Sequence, residues 1–97
     1  MSAPPILAPS VIDDALVDST WRRDGSTLRL ERTCGSFAEA LGFVVSVGAL
    51  AEALDHHPDI DLRWRTVTLA LSTHEVSGLT QRDLDLAARV DALIPRD

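Results

Sequence analysis

The sequence has no lysine, so its nine basic residues are all arginines, against fifteen aspartates and glutamates. The formal net charge of −6 argues against a nucleic-acid or anionic-membrane partner, because both partners are negatively charged. The chain has one cysteine, Cys34, which cannot form an internal disulfide. A lone cysteine fits a reducing compartment, and we expect a cytoplasmic protein.

Long apolar runs are missing as well. No stretch reaches the roughly 20 apolar residues of a membrane span, and the first ten residues lack the positive start of a secretory signal. With 97 residues, of which 45% are hydrophobic and 25% charged, the composition is that of one globular domain. We expect a flexible, proline-bearing N-terminal arm over residues 1–9 and a single domain over residues 10–97.

Turn and strand patterns predict an antiparallel sheet. Asp24-Gly25 is typical of a hairpin turn because both residues tolerate positive φ, and residues 27–33 alternate apolar and polar side chains. Residues 62–73 are also extended, and a break near Trp64 divides them into two short strands. This order of strands and helices indicates an α+β sandwich.

Capping residues predict the helix ends. Ser10 is expected to cap a short first helix. Thr80 with Asp83 is expected to begin a last helix, which Pro95 ends and whose apolar stripe is Leu86, Val90, Leu93 and Ile94. Between them lies the clearest element, a second helix from the capping-box pattern of residues 36–39 to about Asp55.

The second helix is apolar on two sides. One stripe contains Phe37, Leu41, Val44, Gly48 and Ala51, and the other contains Phe43, Val47, Leu50 and Leu54. A helix that is apolar nearly all round must be covered on more than one side. We expect its own sheet on one side and a second subunit on the other.

The three histidines stand at the ends of two predicted elements. His56 and His57 lie where the second helix stops before Pro58, and His74 lies where the last strand ends. If the helix packs across the sheet, these ends meet at one edge and the three imidazoles line one pocket. Imidazole both gives and takes a proton near neutral pH, so the cluster would supply an acid and a base together.

Other interpretations remain open from the residues alone. Adjacent histidines before a proline also suit a helix C-terminus, where positive charge is favourable, and His74 would then be an ordinary loop residue. A zinc site is a further possibility. Adjacent histidines on one turn point in different directions, however, and no HxH pair, HxxxH pair or cysteine ligand accompanies them, so we expect no metal.

A larger combination of residues resembles a known family. Its members are Glu52, Asp55-His56-His57-Pro58, Trp64, Ser72-Thr73-His74-Glu75, Gly78-Leu79-Thr80 and Asp83. Their combined spacing resembles that of the pterin-4a-carbinolamine dehydratases, most closely over residues 50–93. The resemblance implies an α+β fold with a four-stranded antiparallel sheet and three helices packed on one face.

The resemblance also implies a reaction. The family dehydrates the 4a-hydroxytetrahydropterin left by an aromatic amino-acid hydroxylase to quinonoid dihydropterin and water, in tetrahydropterin recycling. It uses no metal or organic cofactor, and its members form homodimers by sheet extension or homotetramers through helices. By the resemblance, His56, His57 and His74 are catalytic, with His56 and His74 as the acid–base pair and His57 positioning the substrate.

Further residues follow from the same resemblance. The substrate-binding set is Pro58, Thr73, Glu75 and Val76, and the supporting set is Asp55 and Asp83. Asp55 would orient one of the histidines it precedes, or only end the helix, and Asp83 also suits a helix cap. The alternative function is a non-catalytic dimerisation or assembly partner of the same fold. The retention of all three histidines favours the enzyme.

Overall fold

The computed structural model describes residues 3–95, and its sheet has the strand order β1-β2-β4-β3 with every neighbouring pair antiparallel. The elements in chain order are α1 Pro9–Ala15, β1 Arg22–Asp24, β2 Thr27–Thr33, α2 Phe37–Leu54, β3 Asp59–Arg63, β4 Thr66–Leu71, the 3₁₀ turn η1 His74–Val76 and α3 Gln81–Asp91. Three α-helices and a four-stranded antiparallel sheet confirm the predicted α+β fold.

The alternation predicted for the two central strands is what builds the core. Leu28 and Leu30 of β2 pair with Leu71 and Leu69 of β4, and all four side chains are buried. The side chains between them point to the other face of the sheet, because successive residues of a strand alternate sides. The helices therefore meet one continuous apolar surface.

Both hairpins turn where the sequence predicts. Gly25, with a φ of 61°, connects β1 to β2. Trp64 connects β3 to β4 with a φ of 51°, a left-handed conformation that few side chains adopt. Its side chain is 72% exposed, and its ring lies 4.7 Å from the guanidinium carbon of Arg65.

The N-cap of the long helix α2 is Ser36, whose hydroxyl accepts the backbone N–H of Glu39 at 3.0 Å. The Glu39 carboxylate accepts the N–H of Gly35 rather than that of Ser36, so the predicted capping box is displaced by one residue. The face toward the core is buried, namely Ala40, Phe43, Val47 and Ala51. Phe37, Leu41 and Val45 form an exposed apolar face, which we call the outer face of α2.

The expectation that no segment has the length and apolarity of a membrane span needs correction. Among the residues that the structure describes, α2 meets that criterion by length and composition. Its 18 residues contain two charged side chains, Glu39 and Glu52. The face of α2 toward the core accounts for its buried residues, which are 22% of the segment.

The N-cap of the first helix lies two residues earlier than predicted. Pro9 occupies its first turn and Ala8 is the N-cap, so Ser10 lies inside the helix and does not cap it. Proline is favoured here because its fixed φ suits a helix and it has no N–H to leave unpaired. In the predicted arm, the N–H of Leu7 donates to Leu79 O at 2.8 Å.

The last helix has the predicted capping box of Thr80 and Asp83. Leu86 and Val90 are buried, as the apolar stripe predicts. The helix ends at Asp91, before Leu93 and Ile94, which the stripe had included. The final turn tightens, with the N–H of Leu93 donating to Val90 O three residues back, so the α-helical ladder stops there.

Candidate active site

The end of α2 determines where His56 points. Asp55 has a φ of 51° and its N–H donates to Glu52 O at 3.3 Å, while the N–H of His56 donates to Ala51 O at 3.0 Å. These two bonds form a Schellman motif, in which the residue after the left-handed one folds back onto the last turn. An apolar residue commonly occupies that position. Here it is His56, which is only 8% exposed.

The buried imidazole has a partner from another helix. His56 Nε2 lies 2.6 Å from Oδ1 of Asp83, at the start of α3. Asp83 is completely buried, and its Oδ2 accepts the Thr73 hydroxyl at 2.8 Å and the Thr80 N–H at 2.9 Å. A buried carboxylate is tolerated when its oxygens are hydrogen-bonded in this way. Asp83 therefore caps α3 with one oxygen and binds His56 with the other.

The segment that carries His74 is attached to the same network. Thr73 precedes His74, and its hydroxyl lies 2.8 Å from that of Thr80 as well as contacting Asp83. The N–H of Thr73 also donates to Gly78 O at 2.9 Å, which closes the loop around η1. His74 itself is exposed at the beginning of η1. The Asp83 network thus connects the end of α2 to the backbone just before His74.

His57 has different surroundings from His56. Its side chain is 57% exposed, and its Nε2 lies 3.1 Å from Oε2 of Glu52, on the last turn of α2. The two adjacent histidines therefore point to different places, one into the core and one to the surface. Each has a carboxylate on Nε2.

A cleft of about 390 Å³ separates the two histidine-bearing segments. It is lined by Leu54 and Asp55 from the end of α2, Glu75 from η1, and Arg82 from α3. Arg82 Nη1 donates to Glu75 Oε1 at 3.0 Å, so a salt bridge joins η1 to α3 beside the cleft. None of the three imidazoles is in this lining, so the expectation that they line one pocket is not met here. His56 and His74 are instead next in sequence to residues that line the cleft.

The remaining residues of the predicted site are distributed around this cleft. Thr73 is buried and its hydroxyl is engaged with Asp83 and Thr80, so its side chain lies beneath the surface. Glu75 is exposed, while Pro58 and Val76 are half-buried. The Asp55 carboxylate makes no hydrogen bond or ion pair with any residue in the range 3–95.

Comparison with known proteins identifies the family. The sequence profile described as pterin 4 alpha carbinolamine dehydratase matches residues 5–93.

The chain belongs to the pterin-4a-carbinolamine dehydratase family.

Relatives that carry the dehydratase name are similar over most of their length. A protein of Roseiflexus castenholzii is 51% identical over 90 residues, which cover 92% of this chain and 97% of that protein. One of Mycobacteroides abscessus is 47% identical over 76 residues, covering 78% of this chain and 81% of its own.

Two solved structures share the fold. A transcriptional coactivator/pterin dehydratase from Brucella melitensis superposes with a TM-score of 0.88 at 26% identity, covering 94% of this chain and all of that one. A pterin dehydratase-like protein identified as a RuBisCO assembly factor in the alpha-carboxysome superposes with a TM-score of 0.67 at 28% identity. This match covers 80% of this chain and 93% of that one. The dehydratase fold therefore occurs in proteins described by different functions.

Two cleft residues, Leu54 and Arg82, were absent from the site predicted from the sequence. In the sequence, Leu54 belongs to an apolar stripe of α2, and no pattern predicts a role for Arg82. A local signal for Arg82 was present, because it stands directly before Asp83. The pairing with Glu75 depends on how η1 meets α3, which the spacing alone does not specify. Within residues 3–95, no group of three or more His, Cys, Asp or Glu side chains is arranged to hold a metal ion.

Proposed function

We propose that this protein is a 4a-hydroxytetrahydropterin dehydratase that works by histidine acid–base catalysis. The observation that carries the proposal is the buried His56–Asp83 pair at 2.6 Å, beside a cleft between the two histidine-bearing segments. A carboxylate on one nitrogen of an imidazole is the arrangement that prepares histidine for proton transfer. Membership of the dehydratase family supports the same reaction.

The reaction itself requires one proton to be given and one to be taken. The bond between C4a and its hydroxyl oxygen breaks, and a proton delivered to that oxygen lets it leave as water. N5 loses its proton, and the electrons of that N–H bond form the N5–C4a double bond of quinonoid dihydropterin. The substrate and the two catalytic groups balance this step, so no redox partner is needed.

We assign the base to His56. A carboxylate only accepts hydrogen bonds, so His56 donates from Nε2 to Asp83, and its Nδ1 then has the free lone pair. When Nδ1 takes the N5 proton, the charge that develops on the ring is stabilised by the hydrogen bond to Asp83. The exposed side chain of His74 suits the acid, because it can recover its proton from solvent.

His57 and the cleft walls hold the substrate in this scheme. The contact of His57 with Glu52 restricts the orientation of an otherwise exposed ring. Pro58, Glu75 and Val76 would contribute to the walls and backbone contacts, while Thr73 supports them from beneath. The planar pterin edge is a surface of donors and acceptors that loop backbone groups can match.

A coupled assay tests the function. An aromatic amino-acid hydroxylase generates the carbinolamine, and its decay is followed by ultraviolet absorbance with and without this protein. We expect the wild type to accelerate the decay, and His56→Ala or His74→Ala to lose about 10²- to 10⁴-fold of the enzymatic rate. A folded wild type that leaves the decay unchanged would contradict the dehydratase.

We also propose that the protein works as a homodimer or homotetramer, with the hydroxylase as a metabolic partner that supplies the substrate. The fold has two unpartnered surfaces that suit self-association: the free edge of β3, where Ile60 is 40% exposed, and the outer face of α2. An exposed apolar face of this kind is typical of an interface.

A second candidate function is a non-catalytic assembly partner. It is favoured by the likeness to the structure described as a RuBisCO assembly factor. The outer face of α2 is then the expected contact surface. Co-purification of a stoichiometric protein partner, together with no dehydration by the folded protein, would favour this candidate.

A further inference from the structure

The carboxylate of Asp55 is the uncommitted acidic group of the cleft. Two carboxylates line this cleft, and that of Glu75 is neutralised by Arg82 at 3.0 Å. Asp55 is exposed and, in the described part of the chain, has no side-chain hydrogen bond or ion pair. A negative charge therefore remains available next to the buried His56.

The backbone at this position does not require an acidic side chain. Asp55 has a φ of 51°, a conformation that glycine adopts without steric cost and that aspartate and asparagine tolerate. Its N–H, and not its carboxylate, makes the Schellman bond that ends α2. Glycine at this position would therefore keep the backbone conformation that ends α2 while removing the carboxylate. The two roles of Asp55 can thus be tested separately.

A pterin ring offers the group that such a carboxylate binds. Its 2-amino group and N3–H are adjacent parallel donors, the pattern by which a guanidinium engages a carboxylate in two hydrogen bonds. We propose that Asp55 accepts these two hydrogen bonds and selects 2-amino pterins over rings that have a 2-oxo group. Asp55 lines the cleft and directly precedes His56, so we place the pyrimidine half of the ring at Asp55 and the reacting C4a–N5 bond toward His56.

This role of Asp55 rests on the proposed dehydratase function, and it names the residue that selects the class of substrate. A 2-oxo group presents lone pairs to the carboxylate instead of a donor, so repulsion replaces one hydrogen bond. Asparagine at the same position offers both a donor and an acceptor. Asp55→Asn is therefore expected to reduce the discrimination between the two rings, and Asp55→Gly to remove the contact altogether.

Binding measurements test the proposal. Dissociation constants are measured by titration calorimetry for 6-methyl-7,8-dihydropterin and for its 2-oxo counterpart, 6-methyl-7,8-dihydrolumazine. We expect the wild type to prefer the pterin, and both variants to bind the pterin about 10- to 100-fold more weakly, the range for lost charged hydrogen bonds. Asp14→Asn, the same change on an exposed residue of α1, should leave both constants unchanged.

The outcomes separate this inference from the proposed function. A wild type that accelerates dehydration while Asp55→Asn and Asp55→Gly keep the wild-type ratio of pterin to 2-oxo affinity overturns the role of Asp55 alone. A wild-type protein that neither accelerates dehydration nor binds the pterin overturns both the dehydratase function and the role of Asp55. Thermal unfolding of Asp55→Gly at or above the wild-type temperature shows that a change in binding does not come from a damaged helix end.

Discussion

Asp83 caps a helix with one carboxylate oxygen and contacts His56 with the other. Its Oδ2 holds the first turn of α3 through the Thr80 N–H and holds the Thr73 hydroxyl, while its Oδ1 faces His56. The sequence predicts the capping box, because Thr80 and Asp83 are three residues apart. It does not predict the bond to His56, because that depends on how α2 lies against α3.

Replacing Asp83 by asparagine should damage catalysis more than folding. The amide oxygen can still accept from the Thr80 N–H, but the NH₂ group then faces His56 Nε2 and reverses the tautomer that the base requires. We expect kcat to fall by about 10²-fold or more, with a smaller change in KM. Steady-state dehydration assays alongside thermal unfolding check this expectation.

The matched control is Asp85→Asn, the same change two residues later on an exposed position that accepts from Gln81. It should leave kcat and stability unchanged. If Asp83→Asn retained the wild-type kcat, the positioning role of Asp83 would be wrong.

At the scale of elements, local sequence patterns predict most helices and strands but not where each helix begins and ends. The strand β2 has the predicted bounds, Thr27–Thr33, because its alternation is regular. The left-handed end of α2 at Asp55 was not predicted, since glycine is the usual residue there. The start of α1 was misplaced because Pro9, in its first turn, is as effective at starting a helix as a serine cap.

The end of α3 is attached to the loop that precedes β1. Asp91 Oδ2 accepts the Ser19 hydroxyl at 2.6 Å, and Oδ1 accepts the N–H of Thr20 at 3.2 Å and its hydroxyl. The Ser19 hydroxyl in turn accepts the N–H of Trp21 at 3.0 Å, and Trp21 is buried in the core. This cluster orders the connection between α1 and the sheet.

Asp91→Ala should therefore lower the free energy of unfolding by about 1–3 kcal/mol, because several hydrogen bonds to one carboxylate are lost. The kcat of the folded fraction should not change, since Asp91 lies outside the cleft. Urea unfolding measures the free energy of unfolding, and the coupled assay measures kcat. Asp85→Ala on the same helix is the control, and an equal loss there would argue against the cluster.

A second attachment of α1 is sensitive to pH. The Arg23 guanidinium, which donates to Asp13 at 2.8 Å, holds the pKa of that carboxyl below its ordinary value. The pair thus stabilises the fold at a pH above the unfolded carboxyl pKa, and this contribution is lost as the pH falls through the folded one. We expect the difference in melting temperature between wild type and Asp13→Asn to vanish in acid and to shrink in high salt.

At the scale of the whole molecule, the strand order β1-β2-β4-β3 was not accessible from residue patterns. Periodicity identifies the buried side of a strand but does not identify its neighbour. The number of strands and the placement of the helices came from the family resemblance. The site is likewise a product of assembly, because its histidines come from the ends of two separate elements.

The outer face of α2 is the place to test self-association. Val45 is 71% exposed on this face, so a charge there should not disturb the fold of one copy. If the face is an interface, Val45→Glu should reduce the sedimentation coefficient at micromolar concentration, because burying an unpaired carboxylate is costly. Ser46→Glu, exposed but turned away from the face, should have little effect. A wild-type monomer would exclude self-association there.

The distance in sequence between His56 and Asp83 has a consequence for how activity appears as the chain folds. The two residues are 27 positions apart, so their hydrogen bond forms only once α2, η1 and α3 have docked. Collapsed chains that hold their helices without this docking would be inactive. The recovery of dehydration during refolding would therefore report the final packing step, whereas circular dichroism would report the earlier formation of helices.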